Sequence, residues 1–163
     1  LFDIPVQLKI NVTSLSKKFF ELSRKYHPDY FANENDEAQA AVLEKSALLN
    51  KAWKVFQNPD ESIKYVLQLK GLLVEEEKYE LPPDFLMEVL EINEALMDTQ
   101  ESGIPKLESR ISELQSEIYE PVKNIVEDYK DGITTEKELL QVKEYYYKKK
   151  YLDRIRRQLA GMA

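Results

Sequence analysis

Along most of this chain hydrophobic residues recur at three- and four-residue spacing, and almost nowhere do they alternate with polar ones as a strand requires. The predicted fold is all-α. The first helix is expected to begin near Thr13 or Ser14, either of which can cap it, and to run to about Tyr26. Leu15, Phe19, Leu22 and Tyr26 form one narrow apolar stripe on it, while Lys17, Lys18, Arg24 and Lys25 project from other faces. Pro28 ends this helix, because the residue before a proline is driven out of the α region. A polar stretch from Asp29 to Asp36 leads to a second helix, from about Glu37 to Phe56, with Val42, Leu49, Trp53 and Phe56 on one face. Asn58-Pro59-Asp60 reads as a turn that starts a short helix through Tyr65 and Leu69, which Gly71 stops.

Residues 72–83 carry Glu75-Glu76-Glu77 and Pro82-Pro83, which suit no helix interior. The stretch is expected to link a first module, 1–71, to a second, 84–163. Helical spacing returns three times in the second module: Asp84 to about Gln100, Pro105 to about Lys130, and Thr135 to about Ala160. Gly103 and Gly132 mark the reversals. The middle segment spaces Ile104, Leu107, Ile111, Leu114 and Ile118 regularly, and Pro121 beyond them should kink or break it. Three such helices joined by short turns predict an antiparallel three-helix bundle.

Composition then narrows the chemistry. A chain of 163 residues suits one domain or two small ones, and no apolar run reads as a bilayer span or a secretory leader. With no Cys and one His, His27, the sequence lacks the ligands for disulfides, thiolate sites and multi-histidine metal sites. Four glycines spell neither a dinucleotide fingerprint nor a P-loop. The net charge of −7 fits a soluble intracellular protein and disfavours general nucleic-acid binding. No catalytic residues, metal site or cofactor are expected.

Two features remain to be explained. His27-Pro28-Asp29 ends a basic amphipathic helix and precedes a second helix of antiparallel length. Pro28 fixes the chain direction there, Asp29 offers an acceptor to a cationic partner, and His27 offers a donor. A plainer account has His27 capping the helix C-terminus. On the helix from Asp84, residues Phe85, Val89, Ile92 and Leu96 make a core stripe within about 60° of one another. Leu86 and Leu90, roughly 100° round from it with Met87 beside them, are surplus to that stripe. Glu91, Glu94 and Asp98 lie alongside, and the helix has no Lys or Arg. Such a face fits a partner that is apolar at the centre and basic at the rim, although a small bundle could also bury two adjacent stripes.

The stretches Lys25-Tyr26-His27-Pro28-Asp29 and Leu49-Asn50-Lys51-Ala52-Trp53 resemble the J-domain of J-protein co-chaperones. The continuation Tyr30-Phe31-Ala32, the Asn58-Pro59 turn, residues 65–71 and residues 85–91 resemble one branch, the HscB-type proteins of iron–sulfur cluster assembly. The resemblance implies a J-domain hairpin followed by a scaffold-binding bundle. It implies that His27, Pro28 and Asp29 dock on a DnaK-class ATPase chaperone of the HscA type and stimulate hydrolysis, with Lys17, Lys18, Arg24 and Lys25 steering the encounter. It also implies that Leu86, Met87, Leu90, Glu91, Glu94, Asp98 and Tyr151 bind an iron–sulfur scaffold protein of the IscU type. Tyr151 suits that role because it falls at the edge of the core stripe Tyr145, Leu152, Ile155 and Leu159. One departure is Ser62, where the family commonly has an Arg, and it weakens the fit of the short helix.

A different reading takes Lys143, Lys148, Lys149, Lys150, Arg154, Arg156 and Arg157 of the last helix as a phosphate track, making the chain a general J-protein adaptor or a nucleic-acid-binding protein. The acidic balance of the whole chain favours a solvated basic face instead, with no nucleic-acid or membrane partner. The expected compartment is the cytoplasm, or the mitochondrial matrix if the source is eukaryotic.

Overall fold

In the computed structural model, which describes residues 1–161, every regular element is helical and no strand forms among the described residues. The helices are α1 (Val12–Lys25), α2 (Asp36–Gln57), α3 (Pro59–Leu69), α4 (Pro83–Asp98), α5 (Ile104–Tyr119), α6 (Lys123–Glu127) and α7 (Glu136–Ala160). Single 3-10 turns occur at Pro28–Phe31, Glu101–Gly103 and Glu120–Val122. The chain divides into two compact units, Leu1–Val66 and Leu67–Ala163, the division falling inside α3.

In the first unit α1 and α2 pack as a hairpin. α1 starts earlier than the Thr13 or Ser14 cap expected of it. Asn11 is the cap, with extended backbone and a side-chain oxygen accepting the Ser14 N–H at 3.2 Å, which an asparagine does as well as any residue. The core is built on Phe2, Leu15 and Leu49, with Phe19, Leu22, Trp53 and Phe56 packed against them. Phe19 stacks on Trp53 with centroids 4.6 Å apart, and Phe2 meets Phe56 edge-on at 4.9 Å. Each such side chain contributes about 1.5–3 kcal/mol on burial, well above the 0–1 kcal/mol of an exposed ion pair, so this aromatic seam sets how α1 lies on α2. Tyr26, the last residue of the expected stripe, lies instead between the ammonium groups of Lys25 and Lys45, 5.3 and 5.1 Å from its ring.

The turn between α2 and α3 is closed by side chains. Asn58 accepts the N–H groups of Asp60 and Glu61 at 3.0 and 3.3 Å. Ser62, only 4% exposed, donates its hydroxyl to the Val55 carbonyl at 2.9 Å. The small hydroxyl satisfies a carbonyl at the α2 C-terminus from a buried position that a long cationic side chain would not suit. α3 ends as expected at Gly71, whose φ of +72° permits the left-handed cap. Gly71 N–H bonds Gln68 O and Leu72 N–H bonds Leu67 O at 3.0 and 2.9 Å, the paired pattern of a Schellman motif.

In the second unit α4, α5 and α7 pack pairwise as a three-helix bundle. The regularly spaced α5 residues Ile104, Leu107, Ile111, Leu114 and Ile118 are all buried, as are Phe85, Val89 and Ile92 of α4. α4 stops at Asp98, short of the expected Gln100, because Thr99 turns extended and its hydroxyl bonds back to the Ala95 carbonyl. Gly103 is needed at this reversal: a Cβ there would lie 2.9 Å from the Thr99 methyl. Pro121 breaks the middle helix into α5, the turn Glu120–Val122 and short α6. α7 opens on a capping box, Thr135 with Glu138.

Residues 72–83, expected as a linker, belong to the second unit and are held against α7. Leu73 is buried. Tyr79 stacks on Tyr147 at 4.5 Å, and Glu77 accepts bonds from Lys143 Nζ and Tyr147 Oη at 3.0 and 2.9 Å. Partial burial pushes the Glu77 carboxyl up, but hydrogen bonds from Lys143, Tyr147 and the Val74 amide outweigh it and hold the group below the usual carboxylate range.

Candidate functional site

α1 is joined to α2 by a ten-residue loop, residues 26–35. His27 has extended backbone and caps the Pro28–Phe31 turn, its Nδ1 accepting the Asp29 N–H at 3.3 Å. Pro28 occupies the first position of that turn, where its missing N–H costs nothing. With Nδ1 accepting, the neutral imidazole carries its proton on Nε2, and that is the donor it has to offer. The Asp29 carboxylate lies 3.6 Å from the same Nδ1, an approach that becomes an ion pair only on protonation, and it stands almost wholly in solvent. Tyr30 meets the imidazole edge-on at 6.1 Å. His27, Pro28 and Asp29 are thus brought into one tight, exposed turn.

A residue that the sequence reading passes over holds this loop to α2. Gln39 Nε2 donates to the carbonyls of Ala32 and Glu34 at 3.0 and 2.9 Å, and Asn35 caps α2 through the Ala38 N–H at 2.8 Å. No sequence pattern marks such a clamp, since it joins a helix side chain to loop backbone. Each bond is worth about 0.5–1.5 kcal/mol net, so Gln39→Ala should speed amide exchange across residues 30–35 by roughly tenfold while the melting temperature stays almost unchanged. Exchange rates followed by mass spectrometry check this.

The four basic residues of α1 are not equivalent. Lys17 and Arg24 line one groove on the outer face, together with Ser16, Phe20 and Glu21. Lys25 lies over the Tyr26 ring. Lys18 is half-buried and donates to the Phe2 carbonyl, tying the N-terminal segment down and leaving it the least available of the four.

On α4 the surplus stripe stays in water. Leu86, Met87 and Leu90 are 44, 64 and 57% exposed, and Glu91, Glu94 and Asp98 are exposed too. Met97, on the line of Leu86 and Leu90, extends the apolar stripe by two turns and was not among the expected residues. Glu88, on the other side of the helix, is taken by Arg110 at 3.2 Å. Tyr151 of α7 is half-buried and meets Phe85 edge-on at 6.5 Å, which sets it beside α4.

Much of the basic run on α7 is engaged within the second unit. Lys143 pairs with Glu77, Lys148 with Glu144 and Lys149 with Asp153, at 3.0, 3.4 and 2.9 Å. Arg156 donates to Ser112 Oγ at 3.3 Å, and Lys150 lies over Tyr147. Among the described residues there is no group of acidic, His or Cys side chains arranged to hold a metal ion, and no helix long and apolar enough to cross a membrane.

Comparison with known proteins bears on both units. Residues 81–160 match the family described as the HSCB C-terminal oligomerisation domain. The fold is similar over 98% of this chain to human co-chaperone protein HscB, at 26% identity and a TM-score of 0.82 with 78% of that chain covered. It is likewise similar to the chaperone HscB of Vibrio cholerae, with a TM-score of 0.73 at 20% identity over 98% of this chain and 92% of that one.

Proposed function

We propose, from the premise that this chain belongs to the HscB-type co-chaperones, that it brings an iron–sulfur scaffold protein of the IscU type to a DnaK-class ATPase chaperone of the HscA type and triggers ATP hydrolysis there. The observation that carries this reading is the pinned His27-Pro28-Asp29 turn, whose donor and acceptor face solvent on a loop clamped by Gln39 and Asn35. A preordered loop loses little conformational entropy on docking, so its few polar groups serve affinity and geometry together. Asp29 supplies an acceptor for a cationic group of the chaperone, and His27 Nε2–H supplies a donor beside it.

The second half of the reading rests on α4. Its core face is filled by Phe85, Val89 and Ile92, which leaves Leu86, Met87 and Leu90 largely exposed and available to a partner. Glu91, Glu94 and Asp98 border them and select a partner with a basic rim. Tyr151 adds area at the neighbouring edge of α7. The chain contributes no bond-making step; it couples two proteins. The modules in this reading are the J-domain at 1–71 and the scaffold-binding bundle at 84–163, and the setting is cytoplasm or mitochondrial matrix, with no nucleic-acid or membrane partner.

The test is a titration of the steady-state ATPase of an HscA-type chaperone with this chain. Saturable stimulation at micromolar concentration supports the reading, and a flat titration contradicts it.

A further inference from the structure

α1 turns Phe19 into the core and leaves the next residue, Phe20, 58% exposed. Single exposed apolar side chains are ordinary, but this one is buttressed. Its ring lies tilted against Phe19 at 5.6 Å, and Phe19 in turn stacks on Trp53 at 4.6 Å. The exposed ring therefore sits at the end of an aromatic ladder rooted in the core. It also forms part of the α1 groove of about 440 Å³ lined by Ser16, Lys17, Glu21 and Arg24. Lys17 and Arg24 stand three residues before and four after it, which puts them on its face of the helix, and Glu21 is the single carboxylate there. The same helix leads directly into the His27 turn.

We infer that Phe20 is an apolar anchor for the ATPase chaperone, entering a hydrophobic socket rimmed by carboxylates that pair with Lys17 and Arg24. The inference rests on the chaperone-docking reading of the His27 loop and adds a specificity element to it. A basic face alone would attract any acidic surface, and salt would screen it. An aromatic ring that must be buried discriminates by shape, and its contribution persists in salt.

The two contributions separate experimentally. ATPase stimulation of an HscA-type chaperone is titrated with the full chain at low and high ionic strength. Phe20→Ala should raise the half-maximal concentration about tenfold at both, leaving the salt dependence parallel to that of the parent. Lys17→Ala combined with Arg24→Ala should weaken stimulation chiefly at low salt and flatten the dependence. Phe20→Leu should keep most of the parent's stimulation. Leu43→Ala, which removes a comparably exposed side chain from α2, should behave as the parent. Melting curves for the variants are expected to overlay, since each residue lies at the surface. If Phe20→Ala stimulates like the parent while His27→Gln is inactive, the anchor is overturned and the docking reading stands. If His27→Gln also stimulates like the parent, the docking reading itself has failed.

Discussion

His27→Gln is expected to abolish stimulation of the ATPase chaperone while leaving affinity for the scaffold within about twofold of the parent, a difference too small to reflect any lost contact. The imidazole has two tasks in the turn. Its Nδ1 accepts the Asp29 N–H, and its ring packs edge-on against Tyr30. A glutamine amide keeps a donor but hangs it on a flexible stem, losing both the cap and the ring contact, so neither the donor nor Asp29 is held in place. The cost falls on docking geometry more than on folding, because His27 is half-exposed and lies outside the aromatic core. Stability should therefore fall by no more than about 1 kcal/mol, within reach of a denaturant titration. Single-turnover hydrolysis and scaffold binding by calorimetry, run on the same preparation, check the separation.

The converse variant acts on the other unit. Leu86→Ala with Leu90→Ala should weaken scaffold binding by about 100-fold or more, since two leucines buried at an interface contribute roughly 1.5–3 kcal/mol each. Adding Tyr151→Ala should weaken it further. Because Leu86 and Leu90 lie at the surface of the unbound chain, removing them leaves no enclosed cavity, and the bundle should melt almost as the parent does. Glu91→Gln, by contrast, should change affinity only severalfold and mainly at low salt, as expected of a rim charge. Stimulation of the ATPase by the double variant without scaffold should equal that of the parent. Loss of both activities in a variant that still folds would contradict separable surfaces.

Where helix periodicity was strong, local pattern was enough to read the fold. The α5 ladder from Ile104 to Ile118, the break at Pro121, the stop at Gly71 and the surplus Leu86–Leu90 pair all follow from spacing and from residues with one dominant backbone preference. What pattern could not reach were contacts between groups remote in sequence. The Glu75-Glu76-Glu77 run and the two prolines read as a tether, yet Glu77 and Tyr79 find Lys143 and Tyr147 on α7 some seventy residues later. The Gln39 clamp leaves no trace in composition, and Lys18 is indistinguishable from Lys17 until Phe2 is placed next to it. Phe20 was legible in principle: two adjacent phenylalanines on a helix lie about 100° apart, so both cannot face one narrow core stripe.

The polarity of the chain is also sharper in the structure than in its net charge. α4 is acidic and carries an exposed apolar stripe, whereas Lys143, Lys148 and Lys149 of the basic α7 are paired with carboxylates inside their own unit. Part of the charge on α7 is thus engaged within its own unit, while charge on α1 and α4 borders exposed apolar groups, as a protein interface requires.

The claim that one chain couples scaffold and chaperone is tested most directly by single-turnover ATP hydrolysis on the HscA-type chaperone, with this chain and the IscU-type scaffold added separately and then together. The account predicts acceleration by the two together well beyond the sum of their separate effects, lost with His27→Gln and reduced to the sum with Leu86→Ala and Leu90→Ala. Strictly additive rates from the parent chain, or full synergy from the leucine variant, would contradict it.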